Sequence, residues 1–158
     1  MKLQEFLFPA AFVPRLESLD KEGVIRELVE ALAQAERIPK TRVSAVVEAL
    51  LERERLGSTG IGKGIAVPHA KHRCVKEVVG TVGLGVRGVE FAALDGEPVY
   101  VFFLLVSPVN SPGEHLAALG LISEALKDDT FCSFLRQART RQDLVDLLVE
   151  ADAGKYAP

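Results

Sequence analysis

The chain reads as a single α/β domain, a sheet covered by helices. Three observations support this. Two segments of helical periodicity come first, apolar strand-like runs occupy the middle, and helical periodicity returns from Pro112 onward. With 158 residues, 48% hydrophobic and 26% charged, the chain has the size and composition of one ordinary globular domain that needs neither disulfides nor metals for its core.

Residues 1–17 carry Pro9 and Pro14, which limit helix, and are expected to supply a short edge strand near Phe12–Val13. Asp20 is placed to cap a first helix, in which Val24, Ile25, Leu28, Val29 and Leu32 recur at helical spacing. Pro39 is expected to stop that helix and Thr41 to open the next. Val43, Val46, Val47, Leu50 and Leu51 form the cleanest amphipathic stripe of the chain, which ends before Gly57. Residues 57–68 hold four glycines and no helical period, so they read as a loop.

Strands are expected near Glu77–Leu84 and Val99–Val106, with a turn at Asp95-Gly96 between them. The second is apolar at every position but Tyr100, as in a central strand covered on both faces. Pro112 suits the first turn of a helix carrying Leu116, Leu119, Ile122 and Leu126. Asp128 or Asp129 caps a short helix through Phe134–Leu135. Thr140 with Asp143 resembles a capping box, with Leu144, Leu147 and Leu148 facing inward. The tail after Ala151 is expected to fray.

Charge and composition exclude several classes. A formal net charge of −3 offers no basic face for nucleic acid. No apolar run approaches the roughly 20 residues of a membrane helix, and the N-terminus lacks the apolar core of a signal peptide. The two cysteines, Cys74 and Cys132, form no disulfide framework, which points to a reducing cytoplasm.

Two glycine patterns fail on context. Gly57 to Gly64 fits the start of a nucleotide P-loop, but Gly64 stands where a magnesium-binding hydroxyl is needed, and Ile-Ala-Val-Pro cannot open the required helix. Gly83-Leu-Gly85-Val-Arg-Gly88 matches the dinucleotide fingerprint, yet Gly96 and Pro98 break the stretch where its helix would have to run. It reads as a turn between strands.

The three histidines are His69, His72 and His115. His69 ends the glycine-rich segment, where close-approaching backbone N–H groups favour an anion. Ser58 and Thr59 add hydroxyls, and Arg53 offers a fork suited to phosphate. His115 starts a helix, and helix N-termini attract anions. A neutral imidazole is a competent nucleophile toward phosphorus near neutral pH. A metal site of His69, His72, Cys74 and His115 is disfavoured, because His-x-x-His-x-Cys is not a usual zinc spacing. His72, Lys63 and Lys71 read as solvated.

The run Arg53-Glu-Arg-Leu-Gly-Ser58-Thr59-Gly60-Ile-Gly62-Lys-Gly64-Ile-Ala66-Val-Pro68-His69 resembles the signature of enzyme IIA domains of the fructose/mannitol type in the bacterial phosphotransferase system, the nitrogen-regulatory enzyme IIA included. The likeness continues through Phe91-Ala-Ala-Leu-Asp95-Gly96-Glu-Pro-Val and Glu114-His115-Leu116, and covers about residues 10–150 of the 1–158 domain. It implies a mixed sheet flanked by helices on both faces. It implies that His69 is phosphorylated by the small histidine carrier protein, itself charged from phosphoenolpyruvate by enzyme I. His115 would lie beside the phosphorylated ring. Arg53 matches the family arginine, with Arg55 the second choice, and Ser58 and Thr59 match the loop hydroxyls. No metal or organic cofactor is implied. Sugar-transport members pass the group to a cysteine of an enzyme IIB. A chain without a cysteine-bearing second domain or membrane helices is expected in the regulatory branch, whose phosphorylation switches a regulatory target protein. A separate sugar-transport subunit is the alternative.

Overall fold

The computed structural model describes residues 1–156. Among them a five-stranded mixed sheet lies between two helical layers, as the resemblance implies. The central strand β5 (Val99–Ser107) pairs antiparallel with the long β4 (Val79–Val89) on one side. On its other side run two short parallel strands, β2 (Ile65–Ala66) and β3 (His69–Lys71), while β1 (Gly60–Gly62) pairs antiparallel with β2.

β2 and β3 are one line of chain broken once. Ile65 faces Val101, Ala66 faces Phe102 and His69 faces Leu105, so the register is unchanged across the gap. The gap is Val67-Pro68, where proline has no N–H to give the ladder. The Pro68 carbonyl still accepts from Leu105 N–H at 3.0 Å.

β5 alternates between the layers. Val101, Phe103 and Leu105 pack toward α3 (Pro112–Ala125), α4 (Asp129–Gln137) and α5 (Arg141–Asp152). Phe102, Leu104 and Val106 pack toward α1 (Lys21–Gln34) and α2 (Val43–Arg55). Burial on both faces explains the continuously apolar sequence of this strand.

Several caps agree with expectation. Asp20 accepts from Gly23 N–H at 2.7 Å, Asp128 accepts from Phe131 N–H at 2.8 Å, and Thr140 with Asp143 forms a reciprocal capping box. Other expectations are corrected. α1 ends at Gln34, well before Pro39, because the chain turns into the left-handed region at Glu36. Thr41 does not cap α2, which has no side-chain cap and is entered through a tight turn at Lys40–Arg42. The N-terminal edge makes isolated bridges to β4, Val13 to Gly83 among them, in place of a strand.

Gly83 and Gly85 lie inside β4, and Gly88 (φ +83°) sits where its register shifts, so the three glycines are not a turn between strands. The stripe of α3 is rotated from the one expected. His115, Ala118 and Ile122 are buried and Leu116 is exposed. The tail is tied down through Tyr156, whose ring stacks 5.0 Å from Phe131 and whose hydroxyl donates to Glu150. The last two residues of the expected frayed tail lie outside the described residues. No helix among the described residues is long and apolar enough to cross a membrane.

Candidate functional site

The break at Val67-Pro68 shapes the site. With the strand interrupted, the Val67 carbonyl is free of the ladder, and the imidazole of His69 folds back to it with Nδ1 at 2.7 Å. A carbonyl only accepts, so Nδ1 carries the proton and Nε2 keeps its lone pair. Burial lowers the pKa of His69 most, the Arg53 charge lowers it further, and the Val67 bond and Glu54 act against both. The ring is therefore held neutral, in one tautomer, half-buried.

His115 reaches the same place from α3. Its ring centroid lies 5.5 Å from that of His69, with the planes 49° apart. It is buried on the sheet side of the first helical turn, and its Nδ1 lies 2.5 Å from the hydroxyl of Ser107 at the end of β5. Burial, then the neighbouring His69 and Lys71, push its pKa down to about 4. His115 is thus also neutral near pH 7.

The loop after α2 closes the third side. Arg53 donates through Nη1 to the Gly57 carbonyl at 2.9 Å, which holds its guanidinium beside the loop. Arg55 turns away and pairs with Glu48 and Glu52 on the exposed face of the helix. The Ser58 hydroxyl donates to the Phe91 carbonyl at 3.1 Å and accepts from Gly60 N–H at 3.0 Å. Thr59 is buried and its hydroxyl donates to the Glu54 carboxylate. The structure therefore brings His69, His115 and Arg53 together, while the two hydroxyls are engaged in holding the loop.

Two partners were not read from the sequence. Glu54 is a buried carboxylate at the end of the apolar face of α2, paired with Lys21 Nζ at 2.9 Å and accepting from Thr59 N–H at 3.3 Å. Its signal was present, since it follows Val47 and Leu50 on the inward stripe, where an acid needs partners. Ser107 had no signal, because a serine ending an apolar run reads only as the end of a strand.

His72 is half-buried, and its Nδ1 accepts from Cys74 N–H at 3.0 Å, so it caps a turn instead of standing free in solvent. Lys63 pairs with Asp129 at 2.9 Å. Among the described residues no three His, Cys, Asp or Glu side chains are grouped to hold a metal.

Residues 5–151 match the family model described as the phosphoenolpyruvate-dependent sugar phosphotransferase system, EIIA 2. The chain is 33% identical over 148 residues to the nitrogen regulatory protein of Bradyrhizobium diazoefficiens, covering 94% of this chain and 95% of that one. It is 34% identical over 152 residues to the fructose-specific EIIABC component of Bacillus subtilis, covering 96% of this chain and 24% of that protein. The crystal structure of nitrogen regulatory protein IIA-Ntr from Neisseria meningitidis superposes with a TM-score of 0.81 at 30% identity, covering 91% of this chain and 97% of that one. The chain belongs to the enzyme IIA family of the phosphoenolpyruvate-dependent phosphotransferase system, fructose/mannitol type.

Proposed function

We propose that this chain is a cytoplasmic phosphoryl carrier of the nitrogen-regulatory type, which accepts a phosphoryl group on Nε2 of His69 from the small histidine carrier protein. The observation that carries the reading is the tether of His69 Nδ1 to the Val67 carbonyl. It leaves Nε2 unprotonated, on a ring whose centroid lies 5.5 Å from the second imidazole, with the Arg53 charge acting on it.

The step asks for positioning and charge neutralisation. Nε2 of His69 attacks phosphorus as the bond from phosphorus to the donor imidazole breaks, and the donor nitrogen recovers its lone pair. No metal or organic cofactor enters. Arg53 and His115 take the phosphoryl oxygens, with the positive end of α3 behind His115. We assign Ser58 and Thr59 to the same oxygens, each exchanging its present acceptor, the Phe91 carbonyl for Ser58 and the Glu54 carboxylate for Thr59, for a phosphoryl oxygen.

The regulatory reading is supported by similarity to nitrogen regulatory proteins over nearly the whole of both chains. The second reading, a sugar-transport enzyme IIA that passes the group to an enzyme IIB cysteine, is supported by the fructose-specific relative.

Intact-protein mass after incubation with phosphoenolpyruvate, enzyme I and the histidine carrier protein tests the proposal. The wild type should gain one acid-labile phosphoryl group, and His69→Ala should gain none. An unmodified, folded wild type with its cognate donor would rule the carrier reading out. Rapid transfer onward to an enzyme IIB cysteine would favour the second reading.

A further inference from the structure

We propose that Ser107 is a positioning residue that sets the tautomer of His115, so that His115 offers Nε2–H, a neutral donor, to the phosphoryl group on His69. This role rests on the carrier reading and deepens it.

Counting protons decides between the tautomers. Ser107 is fully buried at the end of β5, and its side chain makes one hydrogen bond among the described residues, to Nδ1 of His115 at 2.5 Å. Two arrangements fit that distance. In one, Nδ1–H donates to the serine oxygen, and the serine proton must then find another acceptor. The neighbouring groups offer none. Among the described residues the hydroxyl has no hydrogen-bond partner other than the imidazole. A buried hydroxyl proton left without an acceptor is costly. In the other arrangement the serine O–H donates to Nδ1, and both the serine proton and the Nδ1 lone pair are satisfied.

The second arrangement leaves the single proton of a neutral His115 on Nε2. His115 is neutral because burial beside His69 and Lys71 disfavours its charge. A neutral imidazole has one N–H, so its placement decides whether His115 meets a phosphoryl oxygen with a donor or with a repelling lone pair. No proton moves on His115 during transfer; phosphorus changes nitrogens and Nε2–H stays where Ser107 put it. The same logic orders the pair. Val67 accepts and makes His69 an Nε2 lone-pair ring, whereas Ser107 donates and makes His115 an Nε2–H ring. Two identical side chains acquire opposite roles from one bond each.

Long-range proton–nitrogen NMR of the unphosphorylated protein reads the tautomer directly. His115 should appear as the Nε2–H form in the wild type and in Ser107→Thr, which keeps the hydroxyl, and as a mixture with the Nδ1–H form in Ser107→Ala. The phosphohistidine lifetime should fall about threefold to tenfold in Ser107→Ala and recover in Ser107→Thr, in keeping with partial loss of a hydrogen bond to a charged group. An Nδ1–H form in the wild type, or a tautomer unmoved by Ser107→Ala, would overturn the proposal. The wild-type spectrum needs no variant to fold and no phosphorylation. Failure of the carrier reading shows separately, as absence of phosphorylation on His69.

Discussion

At the scale of single residues, the two histidines store a pH response. Burial holds the His115 pKa near about 4, against 6.5 for an unburdened ring, so the folded protein takes up this proton less readily than the unfolded chain. The unfolded state binds more protons between those two values, and stability therefore falls as pH drops through that window. His115 contributes fully above about pH 6.5 and progressively less toward about 4. The slope from one such group is at most about 1.4 kcal/mol per pH unit. His69 is lowered by burial as well and adds in the same direction. Denaturant midpoints of the unphosphorylated protein between pH 7 and pH 5 should fall more steeply for the wild type than for His115→Gln. Parallel slopes would mean that His115 is not held neutral by the fold.

At the scale of elements, glycine packing gives a matched pair of tests. Gly80 in β4 faces Leu105 across the ladder, and a Cβ there would lie 2.6 Å from the Leu105 side chain and 2.8 Å from the Leu104 carbonyl oxygen. The carbonyl belongs to the central strand and cannot step aside. Gly80→Ala should destabilise by about 1–3 kcal/mol. Gly120 lies inside α3, where an added methyl meets nothing within 4 Å. Gly120→Ala should stabilise by about 0.5–1 kcal/mol through helix propensity. Chemical denaturation of both variants checks the pair, and a Gly80→Ala protein as stable as the wild type would contradict the close β4–β5 approach.

The same scale explains what the sequence made legible. The helices α1, α4 and α5 were readable because caps and periodicity are local, as at Asp20, Asp128 and Thr140. The strands β1, β2 and β3 were not, since runs of two or three residues carry no period and take their conformation from their place beside β5. His69 was visible through its local signature. Glu54 and Ser107 act through partners distant in sequence or unmarked by composition, so only the folded chain joins them to the site.

At the scale of the whole molecule, several exposed apolar side chains lie on segments that adjoin the site along the chain. Leu56, Leu94, Val109 and Leu116 are all more than half exposed. Leu56 closes α2 beside the loop of Ser58 and Thr59, Leu94 donates its N–H to the Gly60 carbonyl, and Leu116 is the residue after His115. Exposed leucines cost solubility, and on segments tied to the site they fit a docking role. On the proposed carrier reading, a protein donor must bring its phosphohistidine in line with Nε2 of His69, and exposed apolar side chains allow that approach without fixed ion pairs to break on release. The rotation of the α3 stripe acquires a purpose here, since burying His115 is what turns Leu116 outward. Leu94→Asp and Leu116→Asp, which touch no core, should each raise the KM for the phosphorylated carrier about tenfold. The maximal transfer rate should change less than about twofold, in keeping with loss of one central apolar anchor. Thermal midpoints should stay within a few degrees of the wild type. A fall in the maximal rate at unchanged KM would instead place these leucines in shaping the catalytic loop, and an unchanged KM at both positions would move the docking surface elsewhere.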